Sequence, residues 1–91
     1  MNVETTRQFV KDLKKLPFKV QQGVAIAYAQ VESADTMHQI PNCKRLEGHE
    51  HYYRIRIGDY RVLLLAVITT DTVILKRVVP RGGAYKKHIQ K

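Results

Sequence analysis

The first part of the chain carries apolar residues at helical spacing. Thr5 and Gln8 have the separation of a capping box, and Phe9 and Leu13 follow on one helical face with lysines between them. The pattern predicts a short amphipathic helix over roughly residues 6–15.

A second helix is predicted after Pro17, which suits the first turn of a helix. Its apolar positions repeat with the helical period at Val20, Val24, Ala27, Tyr28 and Val31. We expect this helix to be weakened slightly by Gly23, to end near Ser33 and to be followed by an irregular stretch over residues 34–42. The two helices would form a hairpin.

From Lys44 onward the period changes to the alternation of half-buried strands. One face of the next predicted strand carries Tyr53, Ile55 and Ile57, and the other carries Tyr52, Arg54 and Arg56. Gly58-Asp59 suits a two-residue turn. Residues 60–68 are almost continuously apolar, as in a central strand, and residues 72–79 suit the strand after it.

The ends of the chain complete the predicted architecture. Residues 1–4 suit a short edge strand, and residues 84–89 suit a final turn of helix. The predicted fold class is α+β: an N-terminal helical hairpin packed on a small antiparallel β-sheet, with a short C-terminal helix. We expect one domain over residues 1–91.

Composition narrows the class of protein. Hydrophobic residues make up 44% of the chain and charged residues 26%, which is typical of a packed globular domain. No apolar run is long enough to span a bilayer, and the N-terminus lacks the features of a signal peptide. We therefore expect a soluble, cytoplasmic protein with no membrane contact.

The charge is unevenly distributed. The chain carries a formal net charge of +8, and residues 44–91 contribute eleven basic against four acidic side chains. This excess predicts a polyanion or an acidic protein as partner, bound mainly through the second half.

The predicted hairpins bring arginines together. With Gly58-Asp59 as the loop, Arg56 lies directly opposite Arg61. Like charges across a strand pair repel, so the pair suggests an anion placed between them, although both side chains could simply extend into water.

The second hairpin extends this cluster. Centring its turn on Thr70-Asp71 pairs Ile68 with Val73, Leu63 with Val78 and Arg61 with Pro80. Arg81 then emerges beside Arg61, Arg54 shares the face of Arg56, and Tyr85 lies just beyond. Guanidinium groups match phosphate oxygens bidentately, so these residues predict a phosphate site.

Other candidate sites are weaker. His49, Glu50 and His51 could contribute metal ligands, but no third and fourth ligand is evident, so we expect no metal and no cofactor. Cys43 has no cysteine partner and suits a half-buried position. The lysines of the first helix are interpreted as a solvated face, with a docking role as the alternative: Lys11, Lys14 and Lys15.

Three stretches resemble the RelE/ParE toxin superfamily of type II toxin–antitoxin modules. They are residues 44–48 (KRLEG), residues 53–62 (YRIRIGDYRV) and residues 79–85 (VPRGGAY). The helical hairpin and the length also fit, so the resemblance covers nearly the whole chain. The Gly-Asp-Tyr-Arg element is its most specific part.

The resemblance implies one of two functions. RelE-like members are ribosome-dependent, metal-independent endoribonucleases that cut mRNA, whereas ParE-like members inhibit DNA gyrase without cleaving nucleic acid. RelE-like enzymes have catalytic positions that match five residues here: Arg54, Arg56, Arg61, Arg81 and Tyr85. The enzyme is favoured, with the gyrase inhibitor as the alternative and a non-catalytic nucleic-acid-binding protein as a third possibility.

The general base is not identified by the resemblance. Arg54 stands where the RelE type has a lysine proposed as base, and Pro80 stands where many relatives have histidine. Arginine is a poor base because its pKa exceeds about 12. His51 and Tyr85 are the remaining candidates.

The resemblance also implies protein and RNA partners. We expect a cognate antitoxin, mRNA on the ribosome, and ribosomal RNA contacts through the basic face. An antitoxin would cover apolar strand surface on the arginine face, predicted to comprise Leu63, Leu65, Ile74 and Val78.

Overall fold

The computed structural model describes residues 1–82. The predicted helix at residues 84–89 and Tyr85 lie outside the described residues. The described elements are β1 (Asn2–Thr5), α1 (Arg7–Lys14), α2 (Phe18–Ser33), β2 (Cys43–Arg45), β3 (Tyr52–Ile57), β4 (Tyr60–Val67) and β5 (Thr72–Pro80). Short 3₁₀ turns occur at Met37–Gln39 and at Ile68–Thr70.

The five strands form one mixed sheet in the order β1-β5-β4-β3-β2. The prediction of an α+β fold is confirmed, and so is the edge strand at the N-terminus. The prediction of a purely antiparallel sheet is wrong, because β1 pairs with β5 in parallel, from Asn2↔Thr72 to Thr5↔Leu75. A parallel pair needs a crossover, and the long connection through both helices and three strands supplies it.

Helix α1 begins one residue later than its capping pattern suggests. Thr6, not Thr5, is the N-cap, and its hydroxyl oxygen accepts a hydrogen bond from the Phe9 N–H at 3.0 Å. Gln8 therefore does not close a capping box; its amide donates to Asp12 Oδ1 at 3.0 Å. The helix is therefore capped by a threonine hydroxyl, as predicted, but the capping threonine lies one position later in the chain.

The helices and the sheet share the main core. Phe9 from α1 and three residues of α2 are buried against the helix-facing side of the strands, which is formed by Ile55, Val62, Leu64, Val73, Leu75 and Val78. Gly23 lies where α2 crosses β3, and a Cβ built on it would be 2.6 Å from Ile57 Cγ2. Glycine there permits a close approach that the sequence pattern does not reveal.

The other face of the sheet carries a smaller core. It consists of Leu46, Leu63 and Val79, with Tyr52 packed against them. Leu63 is fully buried there and Val78 faces the helices, so the prediction that both belong to an uncovered strand surface is wrong. Leu65 and Ile74 keep partial exposure.

The second hairpin has a different register from the predicted one. Its loop spans residues 68–71, with Asp71 in the left-handed conformation at φ 51°, so Val67 pairs with Thr72. A bulge at Lys76 then shifts the register by one residue, so that Leu64 pairs with Leu75 while Leu63 pairs with Arg77. All three predicted pairs, Ile68 with Val73, Leu63 with Val78 and Arg61 with Pro80, are wrong.

Neither of the two described helices has the length and apolar character that a membrane crossing requires.

Candidate anion-binding site

The β3–β4 hairpin forms the centre of the site. Gly58 adopts a positive φ of 57°, which allows the two-residue turn, and Arg56 pairs directly with Arg61. This predicted register is confirmed. Directly opposite residues share a face of the sheet, so these two arginine side chains leave the same face at this end of the hairpin.

The Arg61 guanidinium is held against the turn. Its Nη1 donates to the Gly58 carbonyl at 3.1 Å and to the Tyr60 carbonyl at 2.9 Å. The side chain is half-buried, whereas Arg56 is exposed. A guanidinium carries five N–H donors in a fixed planar fork, which is the geometry that recognises carboxylate and phosphate groups.

Arg81 reaches the same turn from β5. Its backbone N–H donates to the Asp59 carbonyl at 2.9 Å, which continues the β4–β5 ladder by one residue. Its Nε lies 4.0 Å from the Asp59 carboxylate, and both side chains are largely exposed. An ion pair so exposed contributes little stability, so its attraction does not prevent Arg81 from turning to an anion.

A second group of cations lies beside the hairpin, on β2 and β3. Arg54 pairs with Lys44 across the strands, and its Nη1 donates to the Asn42 carbonyl at 3.4 Å. These residues border a shallow cleft of about 250 Å³. The cleft is lined by Asn42, Cys43, Lys44, Arg54 and Arg56. Sequence reasoning missed Lys44, because a three-residue strand shows no period from which to derive its pairing.

The strand pairings connect the cations of the two groups. Lys44, Arg54, Arg56 and Arg61 form a continuous cationic row through their strand pairings. We call this row, together with Arg81, the arginine end of the sheet. An array of this kind suits a ligand with several anionic oxygens, such as a phosphodiester.

His51 lies away from the arginine end. It precedes β3, and its carbonyl accepts a hydrogen bond from the Ala66 N–H at 2.9 Å. Five strand steps, or about 17 Å, separate it from Arg56, and three steps, or about 10 Å, separate it from Arg54. Although sequence proximity made His51 a candidate base, the structure does not bring it to the arginines.

The His-Glu-His run does not converge on a point. The His49 ring packs edge-on against Tyr52 with centroids 6.0 Å apart, while His51 Nε2 lies 4.0 Å from the exposed Glu50 carboxylate. Within residues 1–82, no three His, Cys, Asp or Glu side chains are grouped so as to hold a metal ion.

Cys43 contributes to the lining of this cleft, and its half-buried side chain packs against the helix-side core. Burial raises its pKa to about 11, against the opposing effect of the nearby Arg54 charge. A thiol of this kind is protonated at neutral pH and is a poor nucleophile.

Comparison with known families identifies the relatives of this chain. The family of ParE toxins of type II toxin–antitoxin systems matches residues 3–85. The chain belongs to this family. The resemblance to the RelE/ParE superfamily is thereby confirmed. Toxin RelE3 of Methanocaldococcus jannaschii is 30% identical over 86 residues, which make up 93% of this chain and 96% of that relative.

Solved structures of RelE toxins share the fold. The toxin of the RelB-RelE antitoxin–toxin complex from Methanococcus jannaschii has a TM-score of 0.75 at 28% identity, with 90% of this chain and 94% of that one covered. The archaeal RelE-RelB complex from Pyrococcus horikoshii OT3 has the same TM-score at 26% identity, with 90% and 96% covered. The isolated E. coli RelE toxin matches at 18% identity with a TM-score of 0.70, over 94% and 92% of the two chains, which shows a common fold.

Proposed function

We propose that this toxin is an endoribonuclease that cleaves mRNA on the ribosome without a metal ion. The single observation that carries the proposal is the meeting of Arg56, Arg61 and Arg81 at one turn, by strand pairing and a backbone hydrogen bond. This arrangement supports a site in which the three arginines contact one phosphodiester together.

The chemistry of the cleavage assigns these groups a role. Attack of a ribose 2′-OH on the adjacent phosphate adds negative charge to the pentavalent phosphorane. Donors that are already fixed before the reaction stabilise such a transition state most effectively. Arg61 meets this condition best, because two turn carbonyls fix its guanidinium.

Proton transfer requires a different kind of group. Arginine does not give up its proton readily, so Arg54 and Arg56 are assigned to charge stabilisation and substrate binding. Lys44, opposite Arg54, adds an ammonium to the binding surface. Tyr85 remains the proposed proton-transfer group or stacking partner from the sequence resemblance.

A cognate antitoxin is the proposed protein partner. Two relatives of known structure are RelB–RelE complexes. The surface of α2 supports a protein partner, because Phe18 is 71% and Ile26 60% exposed. No charged residue occurs over residues 20–31, while Lys19 precedes this stretch and Lys11, Lys14 and Lys15 lie on or directly after the preceding helix α1. An apolar surface with a cationic margin suits an acidic amphipathic segment.

Cleavage mapping on programmed ribosomes tests the enzymatic proposal. We expect discrete cuts in mRNA that persist in EDTA, and a single-turnover rate lowered roughly 10²-fold or more by Arg61→Ala or Arg81→Ala. Arg61→Lys should restore only part of the rate, because an ammonium lacks the bidentate fork. Arg7→Ala, which removes an exposed arginine from α1, serves as the matched control and should leave the rate of the bound toxin unchanged.

The alternative is a DNA gyrase inhibitor with no nuclease activity, which the ParE family match favours. Gyrase-dependent DNA damage in cells, without ribosomal cleavage and with toxicity indifferent to Arg61 and Arg81, would select this alternative.

A further inference from the structure

The carboxylate of Asp12 joins helix α1 to strand β5. Its Oδ2 accepts from Arg77 Nε at 2.7 Å and from the Val78 N–H at 3.0 Å. Its Oδ1 accepts from Arg77 Nη2 at 3.1 Å and from the Gln8 amide at 3.0 Å. The Asp12 side chain is only 10% exposed, so these bonds are shielded from water.

These contacts lie at the point where β5 loses its neighbour. The pairing with β1 ends at Thr5↔Leu75, and beyond this point no strand among residues 1–82 lies beside the outer edge of β5. Here the edge of β5 is hydrogen-bonded by helix α1 and its N-cap residue. The hydroxyl of the N-cap Thr6 donates to the Lys76 carbonyl at 2.8 Å, and the Asp12 carboxylate accepts from the Val78 N–H. Side chains of α1 thus bond the edge where the bulge interrupts the sheet.

The bulge decides which face the end of β5 presents. Before it, Val73 and Leu75 lie in the helix-side core; after it, Val78 occupies that side and Val79 the opposite one. If the strand alternated regularly through Lys76 with no bulge, every side chain beyond residue 76 would lie on the opposite face. Arg81, two residues after Val79, therefore depends on the bulge to share the face of Arg61.

We propose that Asp12 is a positioning residue that holds the bulged register of β5 and thereby places Arg81 at the arginine end of the sheet. It acts through the Arg77 guanidinium and the Val78 N–H and does not touch the substrate. Its effect on cleavage rests on the proposed function, whereas its effect on the position of Arg81 does not.

Amide hydrogen exchange tests the position directly. The Arg81 N–H is bonded to the Asp59 carbonyl, and the Ala66 N–H, bonded to the His51 carbonyl, serves as an internal reference in the same sheet. In Asp12→Asn we expect the protection of Arg81 relative to Ala66 to fall roughly 10-fold or more. Glu4→Gln, which neutralises an exposed carboxylate on β1, should leave this ratio unchanged. An unchanged ratio in Asp12→Asn would overturn the proposal.

Arg77→Gln provides a second variant with the Asp12–Val78 bond in place. It should lower the protection of Arg81 relative to Ala66 to a smaller extent than Asp12→Asn does. Only the guanidinium contacts of Asp12 are lost in this variant. An effect confined to overall stability, with all amides losing protection together, would count against a positioning role.

A double-mutant cycle links the position to cleavage. Asp12→Asn should lower the single-turnover rate roughly 10-fold in the parent protein, because small displacements of catalytic groups are costly. In an Arg81→Ala background it should have less than about a 2-fold effect, since the residue it positions is gone. Independent, multiplying effects would refute the positioning role, while absence of cleavage by the parent protein would refute only the proposed function.

Discussion

Gly23 shows how one missing side chain sets the distance between a helix and a strand. It occupies the interior of α2, where glycine costs about 1 kcal/mol relative to alanine. The approach of Ile57 leaves no space for a methyl group, with 2.6 Å between Ile57 Cγ2 and a constructed Cβ. The packing of α2 on β3 therefore requires a glycine at a position where helix propensity favours alanine.

Gly23→Ala should accordingly destabilise the protein, by about 1–3 kcal/mol, because the added methyl group forces α2 away from β3. Urea unfolding of Gln22→Ala supplies the control. Gln22 is the exposed neighbour, so this substitution should change the free energy of unfolding by no more than about 0.5 kcal/mol. A stabilised Gly23→Ala would mean that helix propensity dominates and that the contact relaxes easily.

The thiol of Cys43 should react slowly in the folded protein. Its pKa of about 11, raised by burial, leaves about one thiol in a thousand ionised at pH 8. Alkylation by iodoacetamide, followed by mass spectrometry, should be slow in buffer and fast in urea. Fast labelling of the native protein would show that the arginine charges in the cleft outweigh burial.

Among the elements, the two hairpins differ in how far sequence reasoning could reach. The β3–β4 register was predictable because Gly58-Asp59 permits a single tight turn and Arg56 and Arg61 flank it directly. The β4–β5 register was not, because the sequence does not fix the centre of its turn, which lies at residues 69–70 and not at the predicted Thr70-Asp71. Its bulge is stabilised by Asp12, more than sixty residues away, and such contacts leave no local pattern in the sequence.

In the candidate site, too, the residues placed by local patterns were predictable and those placed by distant contacts were not. Arg54, Arg56 and Arg61 could be placed by alternation and one turn, and the helix, strand and turn types were largely predictable from period. The face presented by Arg81 depends on a bulge that sequence reasoning did not foresee, and the predicted arrival of Arg81 beside the turn holds although its pairing residues differ. Lys44 required the pairing of a strand too short to detect.

The attachment of α1 to β5 should depend on pH. Burial alone would raise the pKa of Asp12, but the hydrogen bonds from Arg77, Gln8 and the Val78 N–H outweigh it and hold this pKa below the ordinary value of 3.8. At a pH between the lowered pKa of Asp12 in the folded protein and its ordinary pKa in the unfolded chain, Asp12 is protonated in the unfolded chain and ionised in the folded protein. The stabilisation is thus complete above about pH 5 and is lost as the pH falls through the native pKa.

Chemical denaturation between pH 3 and pH 6 measures this dependence. The free energy of unfolding should fall toward the acidic end, and Asp12→Asn should flatten that fall. Glu4→Gln should leave it as steep as in the parent protein, because Glu4 is exposed on β1. Equal slopes in all three proteins would assign the acid sensitivity to other groups.

Within residues 1–82, the cationic side chains of α1 and of the arginine end lie apart from the uncharged length of α2. The arginine end and the exposed side chains of Lys11, Lys14 and Lys15 carry positive charge, whereas α2 has none between Lys19 and Glu32. Asp12 does not offset the lysines of α1, because its carboxylate is bound to Arg77. A long polyanion could therefore contact α1 and the arginine end at once, with different consequences for binding and for reaction.

Under the proposed function, Lys11→Ala combined with Lys14→Ala should weaken ribosome binding and leave the cleavage rate of bound toxin unchanged. Each lost phosphate contact should reduce the slope of log affinity against log salt by about 1. Binding titrations at several salt concentrations, beside single-turnover assays, separate the two effects. Gln22→Ala, a neutral change in the helical layer, should alter neither quantity, and a salt slope unaffected by the lysine changes would support their interpretation as a solvated face.

The parallel pairing of β1 with β5 has a consequence for synthesis of the chain. The first strand to be made needs the last described strand as its neighbour, and about seventy residues separate Asn2 from Thr72. Arg81 follows that last strand, so a nascent chain interrupted before β5 has neither a complete sheet nor an assembled arginine end. Toxicity should therefore arise in one step late in translation, and prematurely terminated copies of this toxin would be inert.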